Sequence, residues 1–313
     1  VCSSDLIPSA AKVDIGQRMF NDGRLSGDGS VSCATCHNPK LGYADGVPFG
    51  TGIARKRLPI HTPALWNLAW GHAMFWDGRL PTLEAQALAP IQNPIEMEGS
   101  LDQVVARLRS DPATVAGFAA AFPESPEISS VTLGKALASY QRTLVSPPTR
   151  FDRWIEGSPS ALTEEEKAGF SIFTGKAGCA NCHAGWAFTD YAFHDIGLAT
   201  TAKGRGHVLK RPALEFAFKT PSLREIAWTA PYMHNGSMTT LEQVVRHYET
   251  GGVDRPTRSP DMPRRIRLSD VERANLIAFL KTLSSDRLPQ PALEVAATAA
   301  AGVSSASFIS TAS

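Results

Sequence analysis

The 313-residue chain lacks several features that would assign it to a broad class. It has no run of about 18 apolar residues, so no segment is predicted to span a membrane. Its charges nearly cancel, with 31 Lys and Arg against 30 Asp and Glu. A net charge of +1 gives no indication of nucleic-acid binding or of attraction to an acidic membrane surface. Hydrophobic residues make up 43% of the chain, as expected for a globular protein.

A chain of this length can form two domains, each with its own hydrophobic core. Residues 1–6 resemble neither a signal peptide nor a helix. From Pro291 the sequence is rich in Ala and Ser and lacks helical spacing of large apolar residues. Residues 291–313 are therefore predicted to form a disordered tail.

Cysteine is scarce, and four of the five cysteines belong to two strings of the form C-x-x-C-H. The strings are Cys33, Cys36 and His37, followed far along the chain by Cys179, Cys182 and His183. In such a string the two Cys form thioethers with haem, and the His supplies an imidazole to the iron. The sequence therefore predicts two covalently bound haem groups.

Two other uses of paired cysteines fit less well. A structural zinc ion needs four ligands, whereas these two pairs are far apart and each has its own adjacent His. A thioredoxin-like redox pair does not need that His and lies near a βαβ pattern, which the sequence does not show. Since haem is attached covalently outside the cytoplasm, we expect a periplasmic location.

Sequence patterns outside the two strings predict mostly helices. Capping boxes are predicted for Thr163 with Glu166, Thr240 with Gln243, and Ser269 with Glu272. Apolar residues have helical spacing over 101–108 and 132–144. Stretches 38–64 and 184–222, rich in Gly, Pro and short polar residues, are predicted to be haem-covering loops with at most a short hairpin.

A weak internal repeat precedes the two strings. A short segment from Gly16 to Phe20 precedes the first string, and a similar segment from Gly169 to Phe173 precedes the second string. The region 147–159 is the predicted junction. The predicted fold is mainly α, with two cytochrome-c-like haem domains at 10–150 and 151–290, long loops and little strand.

Short motifs follow each string in a fixed order. The first is followed by Phe75-Trp76-Asp77-Gly78-Arg79, Leu83-Glu84-Ala85-Gln86 and Asn93-Pro94-Ile95-Glu96-Met97, and the second by Lys219-Thr220-Pro221-Ser222-Leu223-Arg224 and Pro231-Tyr232-Met233-His234-Asn235-Gly236-Ser237. In order and spacing these motifs resemble the bacterial di-haem cytochrome c peroxidase and MauG superfamily. The resemblance implies a peroxide-reacting haem in the N-terminal domain and an electron-transferring haem in the C-terminal one.

The resemblance also implies roles for individual residues. Trp76 matches a tryptophan between the two haems, and Gln86 and Glu96 match a polar pair over the peroxide-reacting iron. Arg224 falls in a motif that contacts the cofactor. Gln86 has separate support, because it is predicted to share an apolar helix face after the N-cap Thr82.

A calcium site is implied less clearly. Thr229 and Pro231 match two residues whose carbonyls help to bind calcium between the domains. The remaining protein ligand is usually Asn, and His61 stands at that position. The sequence therefore leaves calcium binding open.

The first iron is predicted to have an open position opposite His37. Classical peroxidases of the family place a His in the loop after the first string, and the matching residue here is Ile53, which cannot ligate iron. His61 and His72 are alternative ligands by proximity in sequence, although both flank motifs that the family uses otherwise.

The second iron is predicted to be closed by Tyr248, opposite His183. Classical peroxidases use Met at this position and MauG uses Tyr. A single helical stripe is formed by Leu241, Val244, Val245 and Tyr248. His247 lies about 100° from that stripe and is expected to face elsewhere. Alternative ligands are Met233, Met238 and Met262.

Three functions are compatible with these patterns. The favoured one is a MauG-like enzyme that uses hydrogen peroxide to oxidise a partner protein, for example at a Trp. The second is a cytochrome c peroxidase that reduces peroxide with electrons from a small cytochrome or cupredoxin. The third is a non-catalytic di-haem electron carrier.

Overall fold

The structure is a computed structural model that describes residues 8–263 and 265–288. The predictions for residues 1–6 and for the tail at 291–313 lie outside the described residues. Within the described ranges the chain forms eleven α-helices, which are α1 (Ala10–Phe20), α2 (Cys33–Cys36), α3 (Leu83–Gln92), α4 (Leu101–Arg109), α5 (Pro112–Ala121), α6 (Ser130–Arg142), α7 (Arg150–Ile155), α8 (Glu164–Thr174), α9 (Gly204–Leu209), α10 (Leu241–Thr250) and α11 (Asp270–Lys281).

Strand is confined to one small sheet in the described part of the chain. Strands β1 (Phe193–His194) and β2 (Phe218–Lys219) pair antiparallel, with Phe193 opposite Lys219. The prediction of a mainly α fold with little strand is confirmed. Among the described residues, none of the helices has both the length and the apolar character needed to cross a bilayer.

Hydrogen bonds at the helix N-termini explain where several helices begin. The three predicted capping boxes are confirmed at the starts of α8, α10 and α11. Thr82 caps α3, because its hydroxyl accepts from the backbone N–H of Ala85 at 3.2 Å. The predicted helices at 101–108 and 132–144 correspond to α4 and α6, and α6 begins two residues earlier than its apolar spacing indicates.

The region predicted as the junction contains the short helix α7. Thr149 and Asp152 form a capping box there, and Phe151 is buried against the aromatic side chains of the second half. The sequence did not predict this helix, because it spans only six residues and its flanks are rich in proline.

Buried apolar residues form one large cluster within 13–144 and another within 151–283. Helix α1 packs on α6 in the first half, and α8 packs on α11 in the second. The domain boundary at 150 stays a prediction, and it falls between the two clusters.

The predicted repeat has a physical basis in these two helix crossings. A Cβ on Gly16 would lie 2.1 Å from the carbonyl oxygen of Ala136, and one on Gly169 would lie 2.0 Å from that of Asn275. Both distances are far below van der Waals contact, so each crossing needs glycine. The two halves use the same device to bring a pair of helices together.

A second likeness lies in the loops that precede α3 and α10. Asn67 and Glu225 both adopt left-handed backbone angles, with φ of 61° and 62°. The backbone N–H of Asn67 donates to the carbonyl of Leu144, and that of Glu225 donates to the carbonyl of Leu283. The repeat therefore extends past the haem strings into the loops that form the site.

Candidate functional site

One large cavity runs between the two halves and is lined by all six residues of the two C-x-x-C-H strings. Its walls are mostly apolar, and they include residues of α3 from the first half and of α10 from the second. The fold therefore brings together two strings that are far apart in sequence.

The two string histidines have the same hydrogen-bonding arrangement. Nδ1 of His37 lies 3.1 Å from the carbonyl oxygen of Tyr43, and Nδ1 of His183 lies 3.0 Å from that of Phe188. A carbonyl can only accept, so Nδ1 carries the proton and Nε2 is available as a metal ligand. Burial lowers the pKa of both histidines, which favours the neutral, ligating form.

All four string cysteines line the cavity. Burial raises the pKa of Cys33 and Cys179 to about 12, and that of Cys36 and Cys182 to about 11. Before haem attachment, a thiol with such a pKa is protonated at neutral pH.

Three buried polar atoms on the cavity wall have no hydrogen-bond partner among the described residues. They are the indole Nε1 of Trp66, the amide oxygen of Gln141 and the hydroxyl of Tyr191. Leaving such atoms unpaired is costly, so a group with its own polar substituents is expected beside them. An apolar cavity with thiols, neutral imidazoles and these polar atoms fits haem, which carries carboxylates on an apolar ring.

Glu96 and Gln86 both line the cavity, and their role as a polar pair over the iron stays a prediction. The side-chain amide of Asn93 donates to Oε1 of Glu96 at 2.7 Å and holds the carboxyl in place. Burial raises the pKa of Glu96, while the Arg79 guanidinium and the Asn93 amide oppose the shift. By contrast, Glu98 forms an exposed ion pair with Lys56 at 2.7 Å.

Ile53 does not line the cavity but is buried in the core of the first half. Its backbone N–H donates to the carbonyl of Glu96 at 2.8 Å, which ties this loop to the carboxylate segment. Of the alternative ligands, His72 is exposed and packs against Tyr191, with ring centroids 5.6 Å apart. His61 lines the cavity, and its Nδ1 bonds to the carbonyl of Val47 at 3.0 Å.

Tyr248 lines the opposite part of the cavity, on α10. Burial raises the pKa of Tyr248, and the nearby thiols of Cys179 and Cys182 add to the shift. As predicted, His247 faces elsewhere, since its Nε2 donates to the carbonyl of Ile196 at 2.9 Å. Met233 and Met262 also line the cavity, so they remain alternative ligands.

The repeat identifies one residue that the sequence reasoning missed. Thr62-Pro63-Ala64-Leu65-Trp66-Asn67 matches Thr220-Pro221-Ser222-Leu223-Arg224-Glu225, and continuing the match aligns Thr82 with Thr240 as the N-caps of α3 and α10. Counting on from those caps, Pro90 stands where Tyr248 stands, and both line the cavity. Proline has no side-chain atom that can ligate a metal.

Trp76 lies between the halves and lines the cavity. Its Nε1–H donates to the carbonyl of His61 at 2.9 Å, and its own carbonyl accepts from the backbone N–H of Lys219 at 2.8 Å. Its ring centroid is 6.4 Å from that of His234, which stacks on Phe218 at 3.6 Å. The tryptophan is thus fixed by backbone atoms of both halves.

The Arg224 guanidinium lines the cavity and is engaged by protein groups. It forms a two-pronged ion pair with Asp152, at 2.6 and 2.7 Å, and Nε donates to the carbonyl of Trp186. Thr229 and Pro231 also line the cavity. Contact of Arg224 with the cofactor, and calcium at Thr229 and Pro231, stay predictions.

Comparisons with known proteins agree with this geometry. The profile of the di-haem cytochrome c peroxidase family, which includes MauG, matches residues 10–160, and that of cytochrome c matches residues 166–284. The methylamine utilization protein MauG of Methylorubrum extorquens is 49% identical over 278 residues, covering 88% of this chain and 78% of that protein. The cytochrome-c peroxidase IdrP1 of Denitromonas iodatirespirans is 35% identical over 311 residues, covering 88% of this chain and 82% of that protein.

A solved structure gives the same result. The crystal structure of a MauG-like protein associated with microbial copper homeostasis superposes with a TM-score of 0.85 at 34% identity. The match covers 92% of this chain and 93% of that one.

Fold and site together define a di-haem c-type redox enzyme. More specifically, the chain belongs to the di-haem cytochrome c peroxidase and MauG family. It is a peroxide-dependent oxidoreductase with two haem c groups, which confirms the predicted enzyme class and cofactor.

Proposed function

We propose that this enzyme uses hydrogen peroxide to oxidise a partner protein, as a MauG-like member of its family. The observation that carries the proposal is the asymmetry between Pro90 and Tyr248 at the same position of the repeat. The haem groups supply the redox chemistry, taking oxidising equivalents from peroxide and passing them on. In this proposal Cys33, Cys36 and His37 hold one haem, and Cys179, Cys182 and His183 hold the other.

In the first half, the cavity wall would leave room for peroxide, and it provides a base. Neither Pro90 nor the buried Ile53 offers a ligand to the cavity. Glu96 accepts a proton from one oxygen of bound peroxide and returns it to the other, which becomes water. Gln86, on the same wall, orients the peroxide by hydrogen bonding.

In the second half, Tyr248 and His183 would hold the second haem iron together. An anionic oxygen ligand favours ferric and higher oxidation states, whereas a Met ligand raises the potential and favours ferrous iron. A His and Tyr pair therefore suits a site that stores an oxidising equivalent, and this favours oxidation of a partner over storage of a reducing electron.

Trp76 connects the two sites in a way that suits reversible charge transfer. Its indole N–H is bonded to the His61 carbonyl, which is a poor proton acceptor. An indole that loses an electron there keeps its proton, so returning the electron restores the starting state.

The ligand assignment is tested by replacing Tyr248 with Phe, which should change the low-spin spectrum of the ferric protein. Tyr232→Phe is the matched control, because the Tyr232 hydroxyl donates to the Ile226 carbonyl at 3.1 Å instead. An unchanged spectrum in Tyr248→Phe would assign the ligand to Met233 or Met262.

A second candidate, a peroxidase fed by a small cytochrome or cupredoxin, is favoured by the 35% identity to a cytochrome-c peroxidase. Steady-state turnover with peroxide and reduced cytochrome c separates the two. Slow turnover supports the MauG-like function, and rapid turnover supports the peroxidase. For either function we infer a periplasmic location, because haem c is attached outside the cytoplasm.

A further inference from the structure

Two tryptophans form an exposed pair where the two halves meet. Trp70 and Trp186 are 43% and 48% exposed, and their rings are 4.7 Å apart in an edge-to-face arrangement. Trp70 belongs to the first half and Trp186 to the second. Neither ring lines the cavity, so haem binding does not account for their exposure.

Stability gives little reason for this arrangement. A buried indole stabilises a fold through its large apolar area, as Trp66 does at 4% exposed. Trp70 and Trp186 leave nearly half of that area in water. Exposed aromatic residues are typical of surfaces that contact another protein.

Trp186, one member of the pair, lies one layer outside the second haem site. Trp186 follows His183 by three residues, and its carbonyl accepts from Nε of the cavity-lining Arg224 at 2.7 Å. Trp70 is flanked by Leu68 and Gly71, and both of these line the cavity. A short path through the protein therefore connects the second site to the surface at this pair.

We propose that the Trp70–Trp186 pair is the relay through which the second haem site removes electrons from the partner protein. This inference rests on the proposed function. In each step the indole pair gives one electron inward and takes one from the partner, so the pair is unchanged. Two such steps supply the two electrons that, with two protons, convert one peroxide to two waters.

The edge-to-face contact suits this role. When one indole carries a positive charge, the electron-rich face of its neighbour stabilises that charge, as in a cation–π contact. Unlike Trp76, these rings are open to water, so an oxidised indole that finds no partner reacts with solvent. Addition of one water molecule, with loss of two electrons and two protons, then gives hydroxytryptophan.

The test is to treat the holoenzyme with peroxide and no donor, and to map added oxygen by peptide mass spectrometry. We expect one added oxygen atom on Trp70 or Trp186. This modification should not form when a redox partner is present to supply electrons. Trp228 is the matched control: it is 36% exposed, occupies the place of Trp70 in the repeat, and bonds through Nε1 to the Ser285 carbonyl. It should stay unmodified.

Two variants complete the test. Trp186→Phe should retain the spectral response to peroxide and oxidise the partner more slowly, whereas Trp228→Phe should oxidise it normally. Equal oxidation of Trp228 and the pair, or normal partner oxidation by Trp186→Phe, would overturn the relay while leaving the proposed function standing. No spectral response to peroxide in the unaltered holoenzyme would overturn both.

Discussion

In the second half of the molecule Tyr248 faces the cavity from α10, whereas the same position of α3 in the first half is Pro90. The surrounding frame is shared: each half has a glycine helix crossing, a histidine bonded through Nδ1 to a carbonyl, and a left-handed residue before a short turn. A repeated backbone therefore carries two different sites. The difference in chemistry resides in a few side chains that point into the cavity.

At one position of the repeat, the residue of the first half contacts the matching residue of the second half. Trp76 of the first half and His234 of the second occupy matching places, and their rings are 6.4 Å apart. One is an oxidisable indole, and the other is a buried imidazole. A substitution in one half leaves the other half as an internal reference.

The largest effect is expected in the first half, from Glu96→Gln. The amide keeps the shape but cannot move a proton, so the rate of reaction with peroxide should fall by roughly 10²–10⁴-fold. Stopped-flow absorbance measures this rate. Glu98→Gln is the control, because Glu98 is paired with Lys56 at the surface, and its rate should match the unaltered enzyme.

The pH profile of the same reaction gives a second check on Glu96. Its raised pKa means that the basic form is lost at a higher pH than for an ordinary carboxyl group. The rate should therefore fall as pH decreases, with a midpoint above the pKa of an ordinary glutamate. A profile without this limb would contradict a role for Glu96 as base.

In the second half, His234 should make stability depend on pH. Burial, with a smaller effect from Arg255, lowers the pKa of His234 to about 4. In the unfolded chain the pKa is about 6.5, so the unfolded state binds more protons between these values. The neutral His234 therefore contributes about 3 kcal/mol to the free energy of unfolding above pH 6.5. This stabilisation is lost as pH falls toward 4.

Urea unfolding of the holoprotein at several pH values measures this contribution. The variant His234→Gln should have a flatter dependence between pH 6.5 and 4. Equal slopes of the unfolding free energy against pH in the two proteins would show that other groups control acid sensitivity.

A smaller loss of stability is expected from the substitutions Gly16→Ala in the first half and Gly169→Ala in the second half. The added methyl would press on the Ala136 or the Asn275 carbonyl, costing roughly 1–3 kcal/mol. This exceeds the gain in helix propensity of up to about 1 kcal/mol. Thermal unfolding measures the loss, and the exposed Ser171→Ala on α8 should change stability by less than about 0.5 kcal/mol.

Much of the fold could be predicted because its signals are local. The capping boxes at Thr163, Thr240 and Ser269 place three helices, and the apolar spacing at 101–108 places α4. Helix α7 was missed because a six-residue helix between prolines has too little periodicity to detect. The chemistry of the two haem strings was visible for the same local reason.

The rest of the site depends on contacts between distant residues. The unpaired atoms of Trp66 and Gln141 become apparent only when both lie on one buried wall. The contact between Trp70 and Trp186 joins the two halves, so no local pattern predicts it. Pro90 was different, since the two Thr-Pro motifs already contained the alignment that identifies it.

Electron paramagnetic resonance of the resting ferric holoprotein tests the central claim most directly. If Pro90 leaves the first iron open and Tyr248 closes the second, the spectrum contains one high-spin and one low-spin haem signal. Two low-spin signals would show that a side chain such as His61 closes the first site, and would contradict the division of labour between the two halves.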